Sequence, residues 1–180
     1  MAHFRMLEAF DPNYLVDLHE LPLAKLRAKR DACAELEMEL SYVRRLAQAR
    51  IDLVMAQSQR RRQGLSEPSP EILVEQLPQI LGERSQRGEG PGRLPAYLAP
   101  SEGVQVSLTA RVEEVLPSER LGSLGELSSD ELDDLLDRLS ELERDVSSER
   151  RSLHDIQDKL QEELVRRYRD GEATVDALLH

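Results

Sequence analysis

Two sets of five polar residues, one in each half of the chain, repeat nearly the same residue types at the same spacing. The first set is Glu37, Ser41, Arg44, Gln48 and Asp52. The second set, 106 residues further on, is Glu143, Ser147, Arg150, His154 and Asp158. Together they offer positively charged, negatively charged and neutral groups that can form hydrogen bonds. Neither set places a nucleophile beside a general base. The chemistry that they predict is therefore binding of a polar ligand.

Each set lies on one face if its segment is helical. The spacings of 4, 3, 4 and 4 residues keep a set within an arc of roughly 80° and along roughly 22 Å of helix. Apolar residues recur every seven positions around both sets, as heptad position a of a coiled coil. They are Leu26, Cys33, Leu40, Ala47 and Val54, and then Leu132, Leu139, Val146, Leu153 and Leu160. Counted from these, both sets occupy heptad positions e, b, e, b and f.

The heptads predict an all-α fold, a long antiparallel two-helix coiled-coil hairpin with a long flexible connection and short accessory helices. The connection, about sixty residues long, permits parallel or antiparallel pairing. We favour the antiparallel hairpin because it brings the two sets side by side on one face, related by a pseudo-twofold axis. Such a face suits a ligand that is itself twofold symmetric.

The chain divides into five parts. Residues 1–20 form an N-terminal segment, expected to be loose over its first twelve residues. Residues 21–63 and 127–170 are the long helices, and Ser128 with Glu131 predicts a capping box at the start of the second. The connection, 64–126, is expected to hold a short helix near 69–82 and a flexible Gly/Pro-rich linker over 82–105. The pattern over 104–116 fits a short strand or the start of a helix, and 171–180 form a tail.

The repeated pattern resembles the cyclic di-GMP signature of the RsiG anti-sigma factors, E-x3-S-x2-R-x3-Q-x3-D on each of two helices. The context also resembles the first helix of that family, in Leu21-Pro22-Leu23, in residues 27–30 and 41–46, and in Arg50-Ile51-Asp52. One residue departs from the pattern, since His154 stands where the second copy would carry Gln. The resemblance covers both predicted helices and is weak between them.

The resemblance implies an anti-sigma factor that binds cyclic di-GMP, as two stacked molecules, on a coiled-coil face. In that form it would sequester a sporulation sigma factor of the WhiG type and block its use by RNA polymerase. All ten residues of the two sets are then ligand-binding residues.

Guanine chemistry assigns roles within the sets. Arg44 and Arg150 are expected to read guanine O6 and N7 through two parallel hydrogen bonds. The aspartates of the sets are expected to accept from N1–H and the amino group, the serines to donate to phosphate, and Gln48 and His154 to donate and accept. Two roles stay open for Glu37 and Glu143, either orienting the neighbouring arginine at i+7 through the partner helix or taking a guanine edge directly. The neighbours expected to offset the ligand charge are Arg45, Arg50 and Arg151.

Composition narrows the class of protein and of partner. Only 3% of the 180 residues are aromatic and 33% are charged, which favours a helical hairpin over a thick globular core. Residues 1–65 carry 11 Lys and Arg against 9 Asp and Glu, and residues 66–180 carry 13 against 26. The acidic second half disfavours direct DNA binding and favours a basic protein surface.

The cysteine content and the absence of export signals indicate where in the cell the protein is expected. The single cysteine, Cys33, excludes an internal disulfide and fits a small residue of the seam. No signal peptide pattern and no run of 18 apolar residues is present, so the sequence predicts a cytoplasmic protein without a membrane partner.

Two other classes of function fit the sequence less well. A constitutive coiled-coil scaffold or adaptor without a ligand would have the same heptads, and its partner binding would not depend on Arg44 or Arg150. An enzyme is disfavoured because the four histidines are scattered and no metal-ligand spacing or phosphate-cradling glycine loop is present.

Overall fold

A computed structural model describes residues 2–64 and 102–171, with side chains placed for 6–64 and 108–171. The described chain is helical, without a strand. Its α-helices are α1 (Ala2–Ala9), α2 (Leu23–Arg62), α3 (Glu102–Val115) and α4 (Ser129–Arg169). Two 3-10 segments, Leu18–Glu20 and Ser118–Glu126, precede α2 and α4.

The two long helices begin and end where local signals place them. Pro22 is the N-cap of α2, and Gly64 follows its end with a φ of 66°, a conformation that glycine adopts at little cost. The Ser128 side chain accepts from the backbone N–H of Glu131, which completes the predicted capping box of α4. Helices of 40 and 41 residues result.

The long helices pair in opposite directions. Arg27, near the start of α2, donates to the hydroxyl of Tyr168, near the end of α4. At the other end, Nη2 of Arg62 lies 3.9 Å from Oδ1 of Asp133. The prediction of an all-α antiparallel hairpin is confirmed.

The predicted seam is the core of the hairpin. All ten residues at heptad position a are fully buried, from Leu26 on α2 to Leu160 on α4. Among the position d residues, Leu36 and Val43 are also buried. Burial of a leucine side chain contributes about 2 kcal/mol, and the seam repeats this along nearly the whole hairpin.

A third layer covers one side of the hairpin, and it corrects two expectations. Residues 1–12, expected to be loose, contain α1, and Ala9 at its end is buried. The expected linker over 82–105 is too long, because α3 begins at Glu102, and the ambiguous stretch over 104–116 is largely helical. The reason is tertiary packing: Leu108 and Val112 of α3 and the following Leu116 are buried against the hairpin and α1.

Some predictions lie outside the described residues. These are the short helix near 69–82, most of the Gly/Pro-rich linker, and the tail beyond residue 171. Within the described ranges, no helix is long and apolar enough to cross a membrane.

Candidate functional site

The two polar sets meet on one side of the hairpin. They lie on the e side of the seam, whereas α3 packs near the d side, where Arg111 of α3 donates to Glu149 at 2.8 Å. Residues of one set contact residues of the other across the two long helices. These contacts form two groups, which we call half-sites. We call the surface formed by the ten residues the polar face.

The Glu37 half-site consists of Glu37 and Ser41 from α2 with Arg150 and His154 from α4. Oε1 of Glu37 accepts from Nε of Arg150 at 3.0 Å and from its Nη2 at 2.6 Å. The hydroxyl of Ser41, one turn along the same helix, donates to the same oxygen at 2.9 Å. Nε2 of His154 lies 3.6 Å away.

These donors decide the charge of Glu37. Burial by itself would raise the pKa of Glu37, but the hydrogen bonds from Arg150 and Ser41 outweigh it. The charge of Arg150 acts in the same direction as those bonds. The pKa of Glu37 is therefore held below its ordinary value, and the carboxylate is ionised at neutral pH.

The Glu143 half-site consists of the corresponding residues with the helices exchanged. Oε1 of Glu143 accepts from Nε2 of Gln48 at 3.0 Å and from the hydroxyl of Ser147 at 3.1 Å. Nη1 of Arg44 lies 3.7 Å from the same oxygen. Each glutamate thus meets the serine of its own helix and the longer polar residues of the other, as a pseudo-twofold axis requires.

The aspartates lie further along the helices. Asp52 follows Gln48 by one turn and is half-buried, and Asp158 follows His154 by one turn and is exposed. Because the helices are antiparallel, the two aspartates lie toward opposite ends of the polar face. The structure therefore brings eight of the ten predicted residues into direct reciprocal contact, with an aspartate beyond them at each end.

The structure shows which donors the two glutamates contact. Both contact the arginine or amide of the opposite helix, so they orient the partner helix's donors in this state of the protein. One alternative paired each glutamate with the arginine at i+7 of its own set, but the antiparallel register places the arginine of the other set opposite it. The other alternative, contact with a guanine edge, stays a prediction.

Arg50, expected to offset the ligand charge, does not lie on the polar face. Arg50 is only 2% exposed, and its Nη2 donates to the carboxylate of Glu113 and, at 2.9 Å, to the hydroxyl of Ser118. It binds α2 to the end of α3 and is not available on the polar face. Its heptad position, d, was the sequence signal for this burial. Arg45 and Arg151 are exposed, as their proposed role requires.

One group outside the polar face has side chains that could ligate a metal. Asp17, His19 and Glu20 lie close together and exposed before α2, and no other such group is found among the described residues. Exposure without a further ligand gives this group no functional weight.

A model of the RsiG-like family matches residues 12–81 and 118–180. These ranges contain both polar sets and cover most of the chain. The chain belongs to the RsiG-like family. Membership supports an anti-sigma function, with a sigma factor as the partner of this RsiG-like protein.

The match omits residues 82–117, and so the Arg50–Glu113 contact joins a matched segment to an unmatched one. A search among curated proteins gave no match to this RsiG-like chain.

Proposed function

We propose that this protein binds cyclic di-GMP on the polar face and, in that form, holds a sporulation sigma factor of the WhiG type away from RNA polymerase. The observation that supports this most is the reciprocal pairing of the two sets across the hairpin. Two copies of one pattern, related by a pseudo-twofold axis, provide matching half-sites for a dinucleotide whose halves are identical.

The side chains of the polar face have the chemistry that guanine needs. A guanidinium group can meet O6 and N7 of guanine with two parallel hydrogen bonds, and a carboxylate can accept from N1–H and the amino group. Arg44 and Arg150 are the proposed readers of the first edge, and Asp52 and Asp158 of the second. Adenine lacks the donor pair of the second edge and is expected to be rejected.

The charge balance favours ligand binding together with a basic partner. Each ligand molecule carries a charge of about −2 from its two phosphodiesters, and two stacked molecules would double it. The exposed guanidinium groups of Arg45 and Arg151 lie next to the sets and offset part of this charge. A sigma factor's DNA-binding surface is basic, and it would offset more.

Ligand and sigma factor would then support each other's binding. The ligand would become part of the surface that the sigma factor meets, and a fall in its concentration would release the sigma factor for transcription. Binding free energies are linked, so the sigma factor must raise the affinity for cyclic di-GMP by the same factor as the ligand raises the affinity for sigma.

Calorimetric titration of cyclic di-GMP into the full chain, with and without a WhiG-type sigma factor, tests the proposal. We expect binding that the sigma factor strengthens, and no competition from cyclic di-AMP. Absence of binding under both conditions would rule out the proposed function.

A constitutive coiled-coil adaptor is the competing interpretation, and one observation favours it. Pairs such as Glu37 with Arg150 also stabilise coiled coils at the edge of the seam. The variants Arg44→Ala and Arg150→Ala separate the two functions. The proposed function predicts that each lowers cyclic di-GMP affinity by about tenfold or more, the value of a charge-assisted hydrogen bond, and that sigma binding falls with it. An adaptor would retain its partner in both variants.

A further inference from the structure

The two half-sites have nearly the same residues but different pairing. In the Glu143 half-site the carboxylate accepts from the amide of Gln48 at 3.0 Å, and Arg44 stands 3.7 Å away. In the Glu37 half-site Arg150 itself donates twice, at 3.0 and 2.6 Å. The group that holds the carboxylate is an amide in one half-site and an arginine in the other.

His154 accounts for this difference. A glutamine amide has two N–H donors on a flexible chain, whereas a neutral imidazole has one donor at the edge of a rigid ring. Nε2 of His154 lies 3.6 Å from Oε1 of Glu37, beyond hydrogen-bond distance. The Glu37 side chain is only 19% exposed, so water meets little of its need for donors, and Arg150 supplies them.

Arg44 and Arg150 consequently differ in how many of their N–H donors have acceptors. The Nε of Arg44 is shielded from solvent and has no hydrogen-bond partner within the described ranges. A shielded donor without an acceptor costs free energy, so Arg44 gains by meeting an acceptor on a ligand. Both donors that Arg150 directs at Glu37 are already satisfied.

We infer that the Glu37–Arg150 pair opposes ligand binding at its half-site, so that a guanine binds first at Arg44 and at Arg150 only after that pair opens. This inference rests on the proposed function, because it concerns the regulation of the same polar face. Glu37 is then a positioning residue for Arg150, and His154 is the residue that makes the two half-sites unequal.

Two matched substitutions test the inference by titration of cyclic di-GMP into the full chain. Glu37→Gln and Glu143→Gln each remove one negative charge from the polar face and preserve the size of the side chain. Glu37→Gln weakens two hydrogen bonds from Arg150, whereas Glu143→Gln weakens only the longer ionic contact of Arg44, at 3.7 Å. We expect Glu37→Gln to tighten binding about tenfold more than Glu143→Gln, the value of one charge-assisted hydrogen bond.

His154→Gln is the complementary variant. A glutamine at this position is expected to donate to Glu37 as Gln48 donates to Glu143, which frees Arg150 while both glutamates and both arginines are kept. Binding should tighten in the same direction as in Glu37→Gln. Equal effects of the two Glu→Gln substitutions would overturn the inference. Weaker binding in Glu37→Gln alone would also overturn it, because Glu37 would then be a ligand contact.

A measurement without ligand separates this inference from the proposed function. The Nε–H proton of Arg150, observed by NMR, should exchange slowly with water in the unmodified protein and faster in Glu37→Gln. The Nε–H of Arg44 should respond little to Glu143→Gln. Equally fast exchange of the Arg150 proton in both proteins overturns the inference, whatever the titrations give. Protection of that proton without any cyclic di-GMP binding would instead remove the proposed function, and with it the ligand order inferred here.

Discussion

At the scale of single residues, the polar face is organised by two half-buried glutamates. Each accepts from a serine one turn along its own helix and from a longer donor on the other helix. A carboxylate removed from water needs such donors, because its charge is otherwise costly. The same donors are the groups proposed to meet a nucleotide, so under the proposed function ligand binding would compete with internal pairing for them.

A third glutamate, Glu163 near the end of α4, gives a prediction about pH. Hydrogen bonds from Arg166, and then from Arg167, lower the pKa of Glu163 to about 2, although burial acts against them. A carboxyl whose pKa is lowered in the folded state stabilises the fold above its unfolded pKa. That contribution should disappear as the pH falls from about 4.5 to about 2.

Urea unfolding across this pH range checks the expectation. Glu163→Gln should be less stable than the unmodified protein at pH 7, and the difference should vanish near the lower end of the range. Glu162→Gln is the control, since Glu162 is the exposed neighbour of Glu163 on the same helix. A constant difference between the Glu163→Gln protein and the unmodified protein at all pH values would contradict the assignment.

At the level of helices, the buried Arg50 of α2 connects α3 to the hairpin. Arg50 contacts the carboxylate of Glu113, which also accepts from the backbone N–H and the hydroxyl of Ser118 at 2.7 and 2.6 Å. The hydrogen bond from the Ser118 hydroxyl, with further help from Arg50, holds the pKa of Glu113 below its usual range. This cluster joins α2, the end of α3 and the 3-10 segment before α4.

Substitutions of Glu113 and of Arg50 should lower the free energy of unfolding by different amounts. Glu113→Ala leaves the guanidinium of Arg50 buried without its counter-charge, and we expect a loss of about 1 to 3 kcal/mol in the free energy of unfolding. Arg50→Met removes the charge and keeps an apolar side chain of comparable length, so its cost should be smaller. Denaturant unfolding measures both. A larger loss in Arg50→Met than in Glu113→Ala would contradict this account.

At the scale of the whole molecule, the seam is completed within one chain. The position a residues of α2 are buried by those of α4 and by the third layer, without a second copy. A fold that does not require association has a stability independent of protein concentration. The melting temperature measured by circular dichroism should therefore stay constant over about a hundredfold range of concentration. A rise with concentration would indicate that a second copy contributes to the seam.

The uneven charge of the chain gives a prediction for the proposed partner. Residues 66–180 hold 26 acidic residues against 13 basic ones, and α4 belongs to that half. Association with a basic sigma surface should slow as salt rises from about 50 to 500 mM, because screening shortens the range of attraction. Association rates at several salt concentrations check this. Rates that do not depend on salt would place the sigma contact away from the acidic half.

The long helices, their buried seam and the face on which each polar set lies could be predicted from the order of amino acids alone. These features depend on periodicity within one helix, where 3.6 residues per turn fix the direction of every side chain. Leu26 and Leu160, for example, are buried as their heptad position predicts. The ligand-binding roles of the ten residues remain predictions.

The contacts between distant segments could not be predicted in this way and are known from the folded chain. The choice of Arg150 over His154 as the donor to Glu37, the burial of Arg50 and the packing of α1 and α3 depend on register and contact between segments far apart in the chain. Local periodicity contains no information on such contacts, because the same helices in another register would bring different side chains together.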